Sequence, residues 1–182
     1  MAVDERGFSL IEMLVATAVL VIAMGIAVQI FVQGNNAYVM QRDFDDARSN
    51  AGAALDMTVR LLRSARTIAP DPDGNLTADS IRVVSDWNPR DGDTTDAYED
   101  VRFTVANGTL FKQEPADAAP VAFADRIGSI AFTYRNAVGT LVAAPWTAPQ
   151  SQLAMVGITV QSTPINGIQV TMTSSASVRR WE

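Results

Sequence analysis

Glu12 is the residue whose chemistry most needs a partner. Behind it, residues 13–41 carry no charged side chain. The heart of that run, residues 13–32, is almost wholly Ala, Val, Leu, Ile, Met and Phe. About 20 such residues in a helix rise about 30 Å, the depth of a bilayer's hydrocarbon layer. An ionised carboxylate at the edge of that layer is costly and has to be neutralised, hydrogen-bonded or drawn back to water. Two other groupings have ion-binding chemistry. Asp71, Asp73 and Asn75 alternate as calcium ligands do in a loop. However, Gly74 is not where an EF-hand loop places its glycine, and no bidentate Glu follows at the required distance. Asp, Pro, Gly and Asn are also the residues of an ordinary solvated turn, which is the simpler reading. Asp91-Gly92-Asp93-Thr94-Thr95-Asp96 is a second acidic loop with the same ambiguity.

Other chemistries are poorly served. The chain has no His, so the commonest general base and zinc ligand are missing. It has no Cys, so no disulfide and no thiol nucleophile. No nucleophile elbow or phosphate-cradling glycine loop occurs. The expectation is a protein that is not an enzyme and needs no cofactor. The net charge of −6 argues against a nonspecific nucleic-acid surface, which needs a basic stripe.

Gly7-Phe8-Ser9-Leu10-Ile11-Glu12, with the apolar run behind it, resembles the cleavage and assembly motif of type IV prepilins and pseudopilins. The resemblance implies a membrane-embedded prepilin peptidase that cuts between Gly7 and Phe8 and methylates the new amine of Phe8. Glu12 then becomes the fifth residue of the mature chain and acts in assembly. A secretory signal peptide fits less well, because the run is too long and lacks a small-residue cleavage site beyond it. A plain signal anchor fits the hydropathy but gives no reason for Glu12. The resemblance also places residues 1–7 in the cytoplasm, although Arg6 is offset there by Asp4 and Glu5.

Positioning these residues takes a long helix and a sheet. Residues 1–7 are the expected leader. Residues 8–33 are expected as a membrane-spanning and filament-core helix. Ala16, Ala18, Ala23, Gly25 and Ala27 are small enough for close helix packing. Gly25 and Gly34 are the cheapest places for a break. Residues 34–69 are expected to continue the helix amphipathically. Phe44, Ala47, Ala51, Ala54, Thr58, Leu62 and Ala65 recur at intervals of three and four, and Leu55, Val59 and Leu61 widen the stripe. Asp56 and Arg60 have the spacing of an exposed pair. Pro70 predicts the helix end at Ala69.

Residues 70–182 are expected as a β-rich domain outside the cytoplasm. Val101, Phe103 and Val105, then Asn107-Gly108 and Leu110, predict a hairpin; Phe111 falls on the wrong face. Ile130, Phe132 and Tyr134 alternate with polar or small residues, as do Val156, Ile158 and Val160, and Ile168, Val170 and Met172. One apolar face per strand predicts an antiparallel sheet covered by the helix stripe. Residues 137–152 read as a hairpin tip and surface loop, with Trp146 either buried or exposed. The fold class is α+β, and the resemblance implies the type IV pilin-like fold. The Ile130–Asn136 stretch, the later strand and Val178-Arg179-Arg180 are similar to PilW-type minor prepilins and to J-type minor pseudopilins of type II secretion.

The implied function is a structural subunit, a minor pilin of a type IV pilus. The alternatives are a type II secretion minor pseudopilin and a membrane-anchored surface-binding domain. Implied partners are prepilin peptidase, other pilin or pseudopilin subunits, an inner-membrane assembly platform and the membrane itself. The implied location is the bacterial inner membrane, then a pilus or pseudopilus. Replacing Gly7 with a bulky residue should block cleavage, since a Cβ obstructs a site shaped to glycine backbone. Intact-mass measurement should then find a form about seven residues longer than the wild-type product.

Overall fold

The computed structural model describes residues 9–69, 77–86, 91–94, 96–97, 99–115, 117–144 and 153–178. Its elements are α1 (Leu10–Ser64), β1 (Ala65–Ala69), β2 (Ile81–Ser85), β3 (Asp100–Ala106), β4 (Thr109–Gln113), β5 (Val121–Asp125), β6 (Ile127–Asn136), β7 (Leu141–Val142), β8 (Leu153–Ser162) and β9 (Thr171–Ser177). The chain divides into two units, Met1–Arg42 and Asp43–Glu182.

In the first unit α1 runs unbroken through Gly25 and Gly34, the two expected weak points. Nothing approaches within 4 Å of where a Cβ would stand at either glycine.

In the second unit α1 buries the stripe read from its spacing. Ala47, Ala51, Ala54, Thr58, Val59, Leu61 and Leu62 are buried. Small residues at 47, 51 and 54 let the helix backbone lie close to the strands. Thr58 keeps its hydroxyl satisfied by donating to the Ala54 carbonyl at 2.8 Å.

The helix stops at Ser64, not at Ala69. Ala65–Ala69 is β1, paired antiparallel with β2, with Ile68 opposite Val83. Thr67 and Ile68 are β-branched and suit a strand. Burying Ala65 and Ile68 within a ladder outweighs a last helical turn held only by local bonds. Asp56 and Arg60 form no ion pair with each other; both side chains face solvent.

The strands make two antiparallel sheets rather than the one expected. The first has the order β1-β2-β3-β4-β5 and the second β7-β6-β8-β9. Both sheets and α1 feed one core, which includes Leu62, Ile81, Val101, Phe103, Leu110, Ile130, Phe132, Tyr134, Val156, Ile158 and Val160. The alternating residues of β3, β6 and β8 therefore face inward as their period predicts.

The Asn107-Gly108 hairpin forms between β3 and β4. Both turn residues have positive φ, 51° and 78°, as a two-residue primed turn requires. Phe111 pairs with Thr104 and Leu110 with Val105, so the alternation of the β3–β4 ladder itself puts Phe111 on the face opposite Leu110.

The third alternating run lies elsewhere than expected. Residues 168–170 precede β9, and Ile168 bridges Ile165 across a tight Asn166-Gly167 turn. Both turn residues again have positive φ. The chain passes from one sheet to the other at Arg126, which has φ 60°. Its guanidinium donates to Asp43 Oδ1 of α1 at 2.9 Å, and its carbonyl accepts the Thr163 N–H at 2.8 Å. Those bonds hold a conformation that an Arg rarely adopts unaided.

Gly128 follows at an irregularity in the β6–β8 ladder. A Cβ there would sit 2.8 Å from the Ser162 carbonyl oxygen and 3.2 Å from its carbon. Gly128→Ala should therefore push two backbones apart and destabilise the domain by about 1–3 kcal/mol. Denaturant unfolding of the full chain checks this, with Gly25→Ala, which meets no neighbour, as the tolerated control.

Candidate functional site

The first turn of α1 is closed by its own side chains. Ser9 precedes the helix in non-helical backbone, and Leu10, Ile11 and Glu12 are its first three residues. The Glu12 N–H donates to Ser9 Oγ at 3.3 Å. The Ser9 N–H donates back to Glu12 Oε2 at 2.9 Å. The Ser9 carbonyl accepts the N–H groups of Glu12 and Met13 at 3.1 and 3.2 Å. The reciprocal pair is a capping box. A helix leaves its first four N–H groups without internal partners. At a lipid boundary, where water is scarce, such side-chain caps matter more. The carboxylate also lies at the positive end of the helix dipole, which favours its charge.

The box occupies one carboxylate oxygen. Oε1 of Glu12 makes no hydrogen bond among the described residues. Glu12 can thus cap its own helix and still accept a donor from outside the chain.

The helix behind it has no apolar cover of its own. Residues 10–41 are exposed throughout in the single chain, including Leu14, Leu20, Ile22, Met24, Ile30 and Phe31. The stretch is long and apolar enough to cross a membrane. Apolar surface all round a helix belongs against lipid or other helices.

Residues 4–28 match the family described as the prokaryotic N-terminal methylation motif. The match supports the prepilin and pseudopilin reading of this segment. No curated protein matches the sequence. The motif implies processing by prepilin peptidase and assembly with other pilin subunits, and so supports a pilin or pseudopilin subunit. The exposed apolar helix fits a membrane-anchored precursor. The second unit, with α1 on antiparallel sheets, has the α+β arrangement of the type IV pilin-like fold.

Gly7 and Phe8, the two residues of the expected cleavage site, lie outside the described residues, and so do Asp71, Asp73, Asn75 and Trp146. In the second acidic loop the Asp93 N–H donates to Asp91 Oδ1 at 2.9 Å, an ordinary turn bond. Among the described residues no three carboxylates converge tightly enough for a metal ion. Desolvation, then the charges of Asp91, Glu99 and Asp93, raise the Asp96 carboxyl above the usual carboxylate range. The folded loop holds that proton more tightly than the unfolded chain. Its contribution to stability is therefore present at low pH and lost as pH rises through the raised value.

Ser9 is the functional residue that spacing from the cut does not reveal. Its signature, Ser-x-x-Glu ahead of an apolar run, is legible in the sequence as a helix start. Two substitutions separate the roles of the box. Ser9→Ala keeps the charge and loses the cap, at about 1 kcal/mol of local helix stability. Glu12→Gln loses the charge, but Gln still serves the cap. Amide exchange at residues 10–13 of the micelle-bound chain should accelerate in Ser9→Ala and stay near wild type in Glu12→Gln.

Proposed function

We propose that this prepilin is a minor pilin of a type IV pilus, cut between Gly7 and Phe8 and methylated on the Phe8 amine. On this reading residues 1–7 are the leader. Residues 8–33 anchor the precursor and later pack in the filament core, and residues 34–64 carry the β domain. The observation that carries the reading is Oε1 of Glu12, without a hydrogen bond among the described residues, at the head of a helix exposed over residues 10–41.

In the membrane, Glu12 lies at the edge of the hydrocarbon, where headgroups and water reach it. Extraction into a filament of like helices removes that solvation. A buried carboxylate without a countercharge then costs several kcal/mol. The terminal amine of a neighbouring subunit is the cation available at that depth, because residues 13–41 supply none. Pairing sets the axial step, since it is satisfied at one stagger only. The sequence resemblance of Ile130–Asn136, Val156–Gln161 and Val178-Arg179-Arg180 to PilW-type minor prepilins favours a minor rather than a major subunit.

The test is Glu12→Leu in a cell that assembles the filament. Immunoblots should show normal cleavage but little protein in the sheared fraction. An unpaired amine in the core costs about 3–5 kcal/mol, enough to deplete the variant strongly. Recovery of Glu12→Leu in filaments at the wild-type yield rejects the pairing.

A further inference from the structure

β6 leaves part of one edge open at the foot of a crevice. On one side it pairs with β8 along its length. On the other, the Phe132 N–H donates to the Ala78 carbonyl at 2.7 Å, and the Asn136 N–H to the Thr140 carbonyl at 3.1 Å. In an antiparallel strand every second residue turns its N–H and C=O to the same side. Those of Ile130 therefore point the way the Phe132 N–H points. They make no hydrogen bond on that side among the described residues. The Ile130 side chain lies in the core, 3% exposed, so backbone is what this residue presents. Nearer the start of β6, the Ile127 N–H donates to the Gly108 carbonyl at 2.9 Å. The gap between residues 127 and 132 is thus closed at both ends and at most about 17 Å long by strand rise.

The crevice over this gap holds about 450 Å³, within the range of small-ligand sites. Asp79, Ser80, Arg102, Thr104, Val105 and Ile130 are among the residues of its walls. The wall that bears Asp79 is preformed. Tyr134 Oη donates to the Thr77 carbonyl at 2.7 Å, and the Ser80 N–H donates to Thr77 Oγ1 at 3.3 Å. Arg102 Nε is buried, while Asp79 is exposed. The crevice therefore offers a cation inside and a carboxylate at its rim.

We propose that this crevice binds a free short peptide, about 10 Å long when extended. The peptide carboxylate pairs with Arg102. One of its amides pairs with the Ile130 backbone as a neighbouring strand would, and its ammonium faces Asp79. Each part answers a different observation. Guanidinium and carboxylate match as a two-bond fork. A secondary amide supplies the one donor and one acceptor that the Ile130 backbone can use. The closed ends stop a through-going strand, and the two opposite charges suit a ligand that carries both termini. The inference stands apart from the pilin-subunit reading.

Trialanine is the probe, titrated into the isotopically labelled full chain in micelles and followed by amide shifts. The Ile130 amide should move, with those of Thr104 and Val105 beside it. Amidating the C-terminus of the peptide should weaken binding about tenfold. Acetylating its N-terminus should weaken binding about threefold. Asp79→Asn should weaken free trialanine about threefold and leave the acetylated peptide unaffected. Arg102→Gln should weaken the free peptide about tenfold and leave the amidated one unaffected. Should Arg102→Gln misfold, the comparison of free and blocked peptides on the wild-type chain still decides.

No shift at Ile130 overturns the site. Equal binding of the free and amidated peptides overturns the Arg102 pairing and with it the proposal. An acetylated peptide that binds as tightly as the free one makes the occupant the end of a longer chain, and overturns it too.

Discussion

A carboxylate at the head of a long uncharged apolar helix is the constraint behind the N-terminal half. Glu12 stands before residues 13–41, which carry no charge to answer it. In the single chain it is partly satisfied by the Ser9 N–H and by the helix dipole. Those bonds explain why the helix starts where it does. They use one oxygen, and among the described residues no cation pairs with the charge. The anchor is thus complete as a helix and incomplete as an electrostatic unit, which is the condition a subunit awaiting a neighbour should have.

The second unit solves a different problem. Its share of α1 buries a face that is Ala and Thr from Ala47 to Thr58 and larger from Val59 to Leu62, and both sheets share a core with it. Arg126 makes the turn between the sheets and is tied back to Asp43 of the helix. The corner, the helix and the β8 end therefore share one set of bonds. The opposite face of the same helix is exposed and charged. One element is accordingly core on one side and available surface on the other, without any change in its secondary structure.

Much of this was legible in residue spacing. The buried stripe from Ala47 to Leu62 and the Asn107-Gly108 hairpin emerge as their patterns require. The apolar faces of β6 and β8 do so too. What spacing did not show has identifiable causes. Ala65–Ala69 continues a helical pattern locally, and only the partner strand β2, which lies further along the chain, makes it a strand. The split into two sheets depends on Arg126, a residue type that carries no turn signal. Val121–Asp125 is short, with a single well-buried side chain, so its alternation is faint. At the site, Glu12 was visible through its charge. Ser9 is marked only by the Ser-x-x-Glu pattern of a helix start, since distance from Gly7 singles out Glu12 and not Ser9.

The central claim is that the acid at the head of α1 is neutralised by a terminal amine belonging to another subunit. Zero-length carbodiimide coupling of intact filaments, built from isotopically labelled and unlabelled chains and read by peptide mass spectrometry, tests it directly. The account predicts an amide between the Glu12 side chain and the N-terminal amine of a different chain. Glu12 left unmodified, or joined only to the amine of its own chain, would contradict it.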